Sequence, residues 1–251
     1  MNNIVLLTVR DGSSLKDKSF IKINNKECIK YILDELKKTS KINDFYCSSD
    51  SKRILKICQE NDYKLIERPK YLSNESALHI DVIKHSLEII KSHNKKYIDT
   101  LTVVLGNAPI IYSNWIEESI KWIKKNPSYN SVIPVYEYMD HSPFRSKLIN
   151  KENGLLETPD FISSDESIPT NRQMLPKTYF ICHNFWTLNI KSWINDEVPN
   201  GQKPWSFMGD KIKPLIVPKS HDIHSYDDAI VCENMINWYN KNPKYKKASL
   251  K

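Results

Sequence analysis

This 251-residue chain has no stretch of about 18 consecutive apolar residues, so no membrane-spanning helix is expected. It has no Cys-x-x-Cys pair. Its five cysteines, Cys28, Cys47, Cys58, Cys182 and Cys232, are scattered and odd in number. That pattern argues against a disulfide framework and a zinc site, and it fits a reducing cytoplasm. The first apolar run begins almost at once, so no signal peptide is expected. No internal repeat and no linker interrupts the chain, and one domain over residues 1–251 is expected. No module interleaving aromatic and basic residues is visible. The net charge of +7 comes from lysines spread along presumed helix faces, as at Lys37-Lys38 and Lys124-Lys125. The one dense basic run, Lys244–Lys251, reads as a frayed end. Neither a nucleic-acid nor a membrane partner is expected.

What the chain does have begins with Ile4-Val5-Leu6-Leu7, a short apolar run of the kind found in buried strands. It runs into Arg10-Asp11-Gly12-Ser13-Ser14, followed by Lys16 and Lys18. A tight loop points backbone N–H groups at phosphate oxygens, and fixed cations neutralise them. Gly12 permits close approach. Arg10 can grip two oxygens at once, whereas Lys18 acts as a point charge. A solvated turn after an edge strand is the alternative. Further on, apolar spacing predicts helices near Glu27–Lys38, Lys52–Asn61, His79–Ser92 and Trp115–Lys125, and a last one ending near Tyr239. Strands are predicted at Asp44–Cys47, Lys64–Ile66, Leu101–Leu105, Ser131–Tyr136, Tyr179–Leu188 and Leu215–Val217. Ser48-Ser49-Asp50-Ser51 is placed to cap the second helix. Strands and helices in this alternation predict an α/β fold with a mostly parallel, doubly wound sheet. In such a sheet the loops after Val9, Cys47, Ile66 and Leu105 converge on one pocket at the carboxyl ends of the strands.

Taken in order, these segments resemble the cytidylyltransferases that activate sugar acids as CMP-sugars, the acylneuraminate, legionaminic acid and KDO type. The resemblance runs along nearly the whole chain. It is carried by Arg10-Asp11-Gly12-Ser13 with Lys18, Ser48-Ser49-Asp50-Ser51, Arg68-Pro69 and Asp81-Val82-Ile83-Lys84-His85-Ser86-Leu87-Glu88. It continues through His141–Phe144 with Gly154-Leu155-Leu156, Asn171-Arg172-Gln173-Met174-Leu175-Pro176, and Asp222-Ile223-His224-Ser225 with Asp228. There are departures. The family's magnesium-binding Asp after the central strand is Asn107 here, and the second Asp of the late D-I-D motif is His224. The Gln, Ser and Arg that sialic-acid members carry after the central strand are absent.

The resemblance implies a Rossmann-like (GT-A-like) nucleotidyltransferase fold in which about residues 137–170 form a dimerisation arm, hence a homodimer. It implies attack of a sugar-acid oxygen on the α-phosphate of CTP, with release of pyrophosphate, for surface-glycan synthesis. Positioning and charge neutralisation dominate such a transfer. Arg10, Lys18 and Asp222 are the catalytic candidates. Arg10, Gly12, Ser13, Lys18, Arg68, His79 and Asn107 are the nucleotide-binding ones. His79 occupies a position near the cytosine. Arg172 and Gln173 are candidates for the acceptor's carboxylate and hydroxyls, and His224 for a phosphate or that carboxylate. Asp222 is the expected ligand of Mg2+, with Mn2+ as the alternative ion. The rival readings are a transferase with another acceptor or nucleotide, and a degenerate homologue that binds without turnover.

Overall fold

A computed structural model of the protein describes residues 1–10, 15, 17–160, 162, 168–193 and 197–250. The chain opens with β1 (Asn3–Thr8) and passes through a small ribbon, β2 (Lys22–Ile23) and β3 (Lys26–Glu27), into α1 (Cys28–Leu36). Then come β4 (Asp44–Ser49), α2 (Lys52–Gln59), β5 (Lys64–Glu67), α3 (His79–His93), β6 (Thr100–Leu105), α4 (Ser113–Lys125) and β7 (Ser131–Glu137). A second ribbon, β8 (Leu148–Ile149) and β9 (Leu156–Glu157), stands out from the body. The chain returns through β10 (Tyr179–Ile181), β11 (Phe185–Asn189) and β12 (Ile212–Ile216) to α5 (Tyr226–Lys241). The α/β class with a largely parallel central sheet, expected from the alternation, is the one observed.

β1 lies at the centre, parallel to β4 on one side and to β6 on the other. β5 continues the sheet parallel to β4. All six residues of β1 are buried. Alternate side chains point to opposite faces of a strand. Val5 and Leu7 therefore pack with α1, α2, α4 and α5, while Ile4 and Leu6 pack with α3. The change of face has a topological cause. From β1 to β4 to β5 the chain steps one way across the sheet; from β5 to β6 it steps back past β1. Right-handed crossovers then require the returning helix, α3, to cover the other face. The reversal opens a crevice between β1 and β6 at their carboxyl ends. Gly106 lies there, where a Cβ would come within 2.4 Å of a Val9 methyl, so the two loops close against each other only with glycine.

Two expectations from the sequence need correction. Ser51 is the N-cap residue of α2, but its side chain makes no capping bond. Its neighbours serve the strand end instead: Ser49 Oγ accepts from the Ser51 N–H at 3.1 Å, and Ser48 accepts two bonds from Arg68. The predicted strand Tyr179–Leu188 is two strands. β10 pairs antiparallel with β7 through Ile181–Val135, and β11 resumes through Thr187–Val132. The chain takes six steps between those pairs while β7 takes three, so residues 182–186 hold a three-residue bulge.

Candidate active site

The carboxyl ends of β1, β5 and β6 and the amino end of β11 frame a cleft of about 350 Å³. Arg10, Lys18, Arg68 and His79 line one side of it, and Asn107, His183, Asp222 and His224 line the other. Most residues singled out in the sequence are thus brought together. Gly12 and Ser13 lie outside the described residues. Arg172 and Gln173 do not line the cleft: both are exposed, Arg172 pairs with Asp140, and the Gln173 N–H donates to Asn171 Oδ1 at 3.1 Å.

Arg10 leaves the end of β1 and donates through Nη1 to the Asn74 carbonyl at 2.7 Å, which ties it to the loop before α3. Lys18 starts a short 3-10 turn and is half-buried. Burial and the neighbouring Arg10 charge pull its ammonium pKa below the ordinary lysine range, partly offset by Asp222. With Arg68 they make three cations against two carboxylates, Glu75 and Asp222, in the lining of the cleft. Arg68 follows β5 and is buried; Nε and Nη2 bond Ser48 Oγ at 3.2 Å and the Ser48 carbonyl at 2.7 Å. Arg68 therefore braces β4 and faces the cleft at once. Burial lowers its pKa to about 10, opposed by Asp50, so it remains a cation at neutral pH.

His79 is the first residue of α3, where the predicted helix begins. Its Nε2 lies 3.2 Å from Thr8 Oγ1, and its ring meets Trp186 edge-on, with centroids 5.0 Å apart. Burial, reinforced by the charges of Arg68 and Arg10, lowers its pKa to about 4. The ring is neutral at pH 7, a donor on one nitrogen and an acceptor on the other.

Opposite, Asn107 is buried and clasps the late loop: its Nδ2 donates to the Ile223 carbonyl at 3.1 Å, and its own carbonyl accepts from the Ile223 N–H at 2.8 Å. That clasp carries Asp222 and His224 into the cleft. Asp222 is not the helix cap. The cap of α5 is Ser225, in a reciprocal capping box with Asp228. Asp228 also takes the His224 N–H at 2.8 Å and lies 2.6 Å from His221 Nε2. These bonds outweigh the effect of burial and hold its carboxyl well below the usual range. Asp222 Oδ2 lies 2.7 Å from His224 Nε2, with His224 largely exposed.

Sequence reasoning missed His183. It was read inside a continuous strand, and only the pairing register reveals that it lies in a bulge. Phe180, Trp186 and Trp205 surround its ring at 6.0, 6.1 and 5.1 Å. Burial lowers its pKa, against the pull of Asp222. Trp186 and Trp193, expected in the core, are buried there.

A doubly wound sheet with a cation-lined crevice at its switch point defines a nucleotide-handling enzyme of the nucleotidyltransferase kind. The profile of the cytidylyltransferase family matches residues 4–177, and the chain belongs to that family. A flagellin post-translational modification protein B of Campylobacter coli is 28% identical over 181 residues, 70% of this chain and 73% of that protein. Among solved structures, a CMP:2-keto-3-deoxy-manno-octonic acid synthetase complexed with CTP superposes with a TM-score of 0.66. It is 13% identical, over 95% of this chain and 99% of that one. The 4-diphosphocytidyl-2C-methyl-D-erythritol synthase of Anaerococcus prevotii DSM 20548 gives 0.58 at 12% identity, over 94% and 96%. The expectation of a cytidylyltransferase made from the motifs is met. Among the described residues no helix is long and apolar enough to cross a membrane.

Proposed function

We propose that this protein transfers CMP from CTP to an acidic sugar, a nonulosonic or KDO-like acid, and releases pyrophosphate. One observation carries the proposal: three cations, Arg10, Lys18 and Arg68, line one cleft together with Asp222, Glu75 and the imidazoles of His79, His183 and His224. The likeness to a flagellin-modifying protein and to a keto-deoxy-octonic acid synthetase supports an acidic sugar as acceptor.

In this reading Arg10 and Lys18 bind the β- and γ-phosphates. Arg68 adds a phosphate or ribose contact, His79 meets the cytosine, and Asn107 meets the ribose. The acceptor hydroxyl approaches from the Asp222 side. Its oxygen bonds the α-phosphorus and yields its proton to water as the bridging P–O bond to the β-phosphate breaks, and pyrophosphate leaves with that electron pair toward the two cations. Lys18 stands as a fixed cation beside the phosphates, so its attraction grows as charge moves onto the leaving group.

The donor set fits one hard cation only through Asp222. No group of three His, Cys, Asp or Glu side chains gathers among the described residues. Mg2+ is commonly held by one or two carboxylates plus phosphate oxygens, so Asp222 and the nucleotide meet that need, with Asn107 reached through water. When bound, the ion supplies Lewis-acid screening of the phosphate. His224 engages one Asp222 oxygen, and this favours weakened magnesium affinity with Mn2+ as a good substitute. With Asp222 given to an ion, His224 would be left to meet the acceptor carboxylate.

We also propose a homodimer. Ile149 and Leu156 on the projecting β8–β9 ribbon are 69% and 70% exposed, which is costly for apolar side chains unless a partner covers them. The five cysteines are all free and buried, which suits a cytoplasmic site of action.

Thermal shifts with CTP, ATP and GTP, followed by pyrophosphate release with a panel of sugar acids, test the proposal. A CTP-selective shift with release on one or more acids is expected. Equal shifts with all three nucleotides would remove the cytidine assignment. A CTP-selective shift without release on any acid favours the binding-only reading, for which the engaged Asp222–His224 pair is the specific observation.

A further inference from the structure

We propose that His183 selects the acceptor, its ring nitrogens hydrogen-bonding a sugar hydroxyl beside the one that attacks the α-phosphate. The proposal rests on the cytidylyltransferase reading of the cleft and adds a residue which that reading does not use.

The backbone argument comes first. A regular strand from Tyr179 to Asn189 would alternate its side chains across the sheet and keep every residue on the ladder. Instead three extra residues enter between the Ile181–Val135 and Thr187–Val132 pairs. The bulge is pinned on both sides. The Cys182 N–H donates to the Pro134 carbonyl at 2.8 Å, and the Asn184 carbonyl accepts from the Leu105 N–H at 3.0 Å. Asn184 is 1% exposed; its Nδ2 donates to the Ile110 carbonyl at 3.1 Å, and its Oδ1 accepts from the Phe185 N–H at 2.8 Å. Between these two anchored residues the chain presents His183 to the cleft. Bulges commonly re-aim one side chain beside a site.

The ring itself is built to be held still and used at its edge. Phe180, Trp186 and Trp205 surround it, all tilted steeply to its plane. Rings pack round it, Asp222 lines the same cleft, and no hydrogen bond to its nitrogens is made among the described residues. A neutral imidazole offers one donor and one acceptor, and a hydroxyl offers the same two. The three cations of the cleft stand on the β1–β5 side and take the phosphates. His183, Asp222 and His224 line the cleft together, and Lys18 is the cation that Asp222 faces. That wall suits the polyhydroxylated part of a sugar.

The test compares the Kd of CMP with that of commercially available CMP-sugars, CMP-N-acetylneuraminate and CMP-KDO, by calorimetry on the wild type, His183→Phe and His183→Gln. The wild type is expected to bind at least one CMP-sugar about tenfold tighter than CMP, and His183→Phe to lose that gain while binding CMP unchanged, the size of one or two hydrogen bonds. His183→Gln, which keeps a donor and an acceptor, is expected to regain part of it. An equal gain in wild type and His183→Phe overturns the proposal. So does a wild type that binds both CMP-sugars no better than CMP; retained CMP binding would then leave the nucleotide reading intact. Loss of CMP binding by the wild type would instead overturn the cytidylyltransferase reading itself. If His183→Phe does not fold, the gain measured in His183→Gln against His183→Ala decides.

Discussion

The two walls of the cleft are made by different sheet chemistry. On the β1–β5 wall, parallel strands deliver Arg10 and Arg68 from their carboxyl ends, each just after a strand. On the other wall, β11 runs antiparallel to β6, so it feeds the same edge from its amino end, through a bulge. The remaining residues of that wall come from the loop before α5, clasped by Asn107. The first wall is placed by helix–strand alternation, with Arg10 and Arg68 then held by the carbonyls of Asn74 and Ser48. The second depends on side-chain bonds between distant loops. One wall is therefore robust to local change, and the other is adjustable.

The largest expected effect breaks the adjustable wall at its carboxylate. Asp222→Asn should lower turnover by about three orders of magnitude while CTP still raises the melting temperature; an active variant would move the metal elsewhere. On the robust wall, Lys18→Ala should weaken CTP binding by about tenfold to a hundredfold, the worth of a charge-assisted contact, with an unchanged melting temperature for the free protein. Magnesium titrations sharpen the contrast. His224→Asp or Asn107→Asp should reduce the magnesium needed for half-maximal CTP stabilisation several-fold, and no change in either would show that these positions do not face the ion. Asp228→Ala should cost about 1–2 kcal/mol by loss of the α5 cap, measured by denaturant unfolding, and should also raise the KM for acceptor, because the same carboxylate holds the His224 backbone.

Two smaller effects complete the series. Light scattering should give about twice 29.4 kDa for the wild type, and Ile149→Asp with Leu156→Asp should give the monomer mass. The His79 pKa is depressed to about 4 from an ordinary 6.5. The unfolded chain therefore binds more protons between these values, and stability present above pH 6.5 is lost as pH falls toward 4. A series of melting temperatures should show this slope in the wild type and a shallower one in His79→Gln.

Legibility in the sequence divides along the same line. β1 and β6 are visible as largely apolar runs followed by turn residues, because a strand buried on both faces is apolar along most of its length. Arg10, Lys18, Arg68, His79, Asn107 and Asp222 were legible as motif residues, and the structure places them around one cleft. The bulge at residues 182–186 was not, since Phe180 through Leu188 reads as unbroken strand and the interruption exists only relative to β7. The idle side chain of Ser51 was equally hidden: its type suits a cap, but the strand-end serines beside it answer to Arg68, a partner supplied by tertiary structure. Arg172 and Gln173 look like ligands in sequence, yet they lie on the exposed segment, where Arg172 already has Asp140.

The family profile ends at residue 177, just before the bulged strand. Arg10, Lys18, Arg68, His79 and Asn107 lie inside it, and His183, Asp222 and His224 lie beyond it. A bulge between two anchored residues tolerates exchange at its middle position without shifting the register of either neighbouring strand. Descendants of such a chain could retune the molecule they activate by substitution at a single site, leaving the phosphate-handling loops and the sheet beneath them untouched.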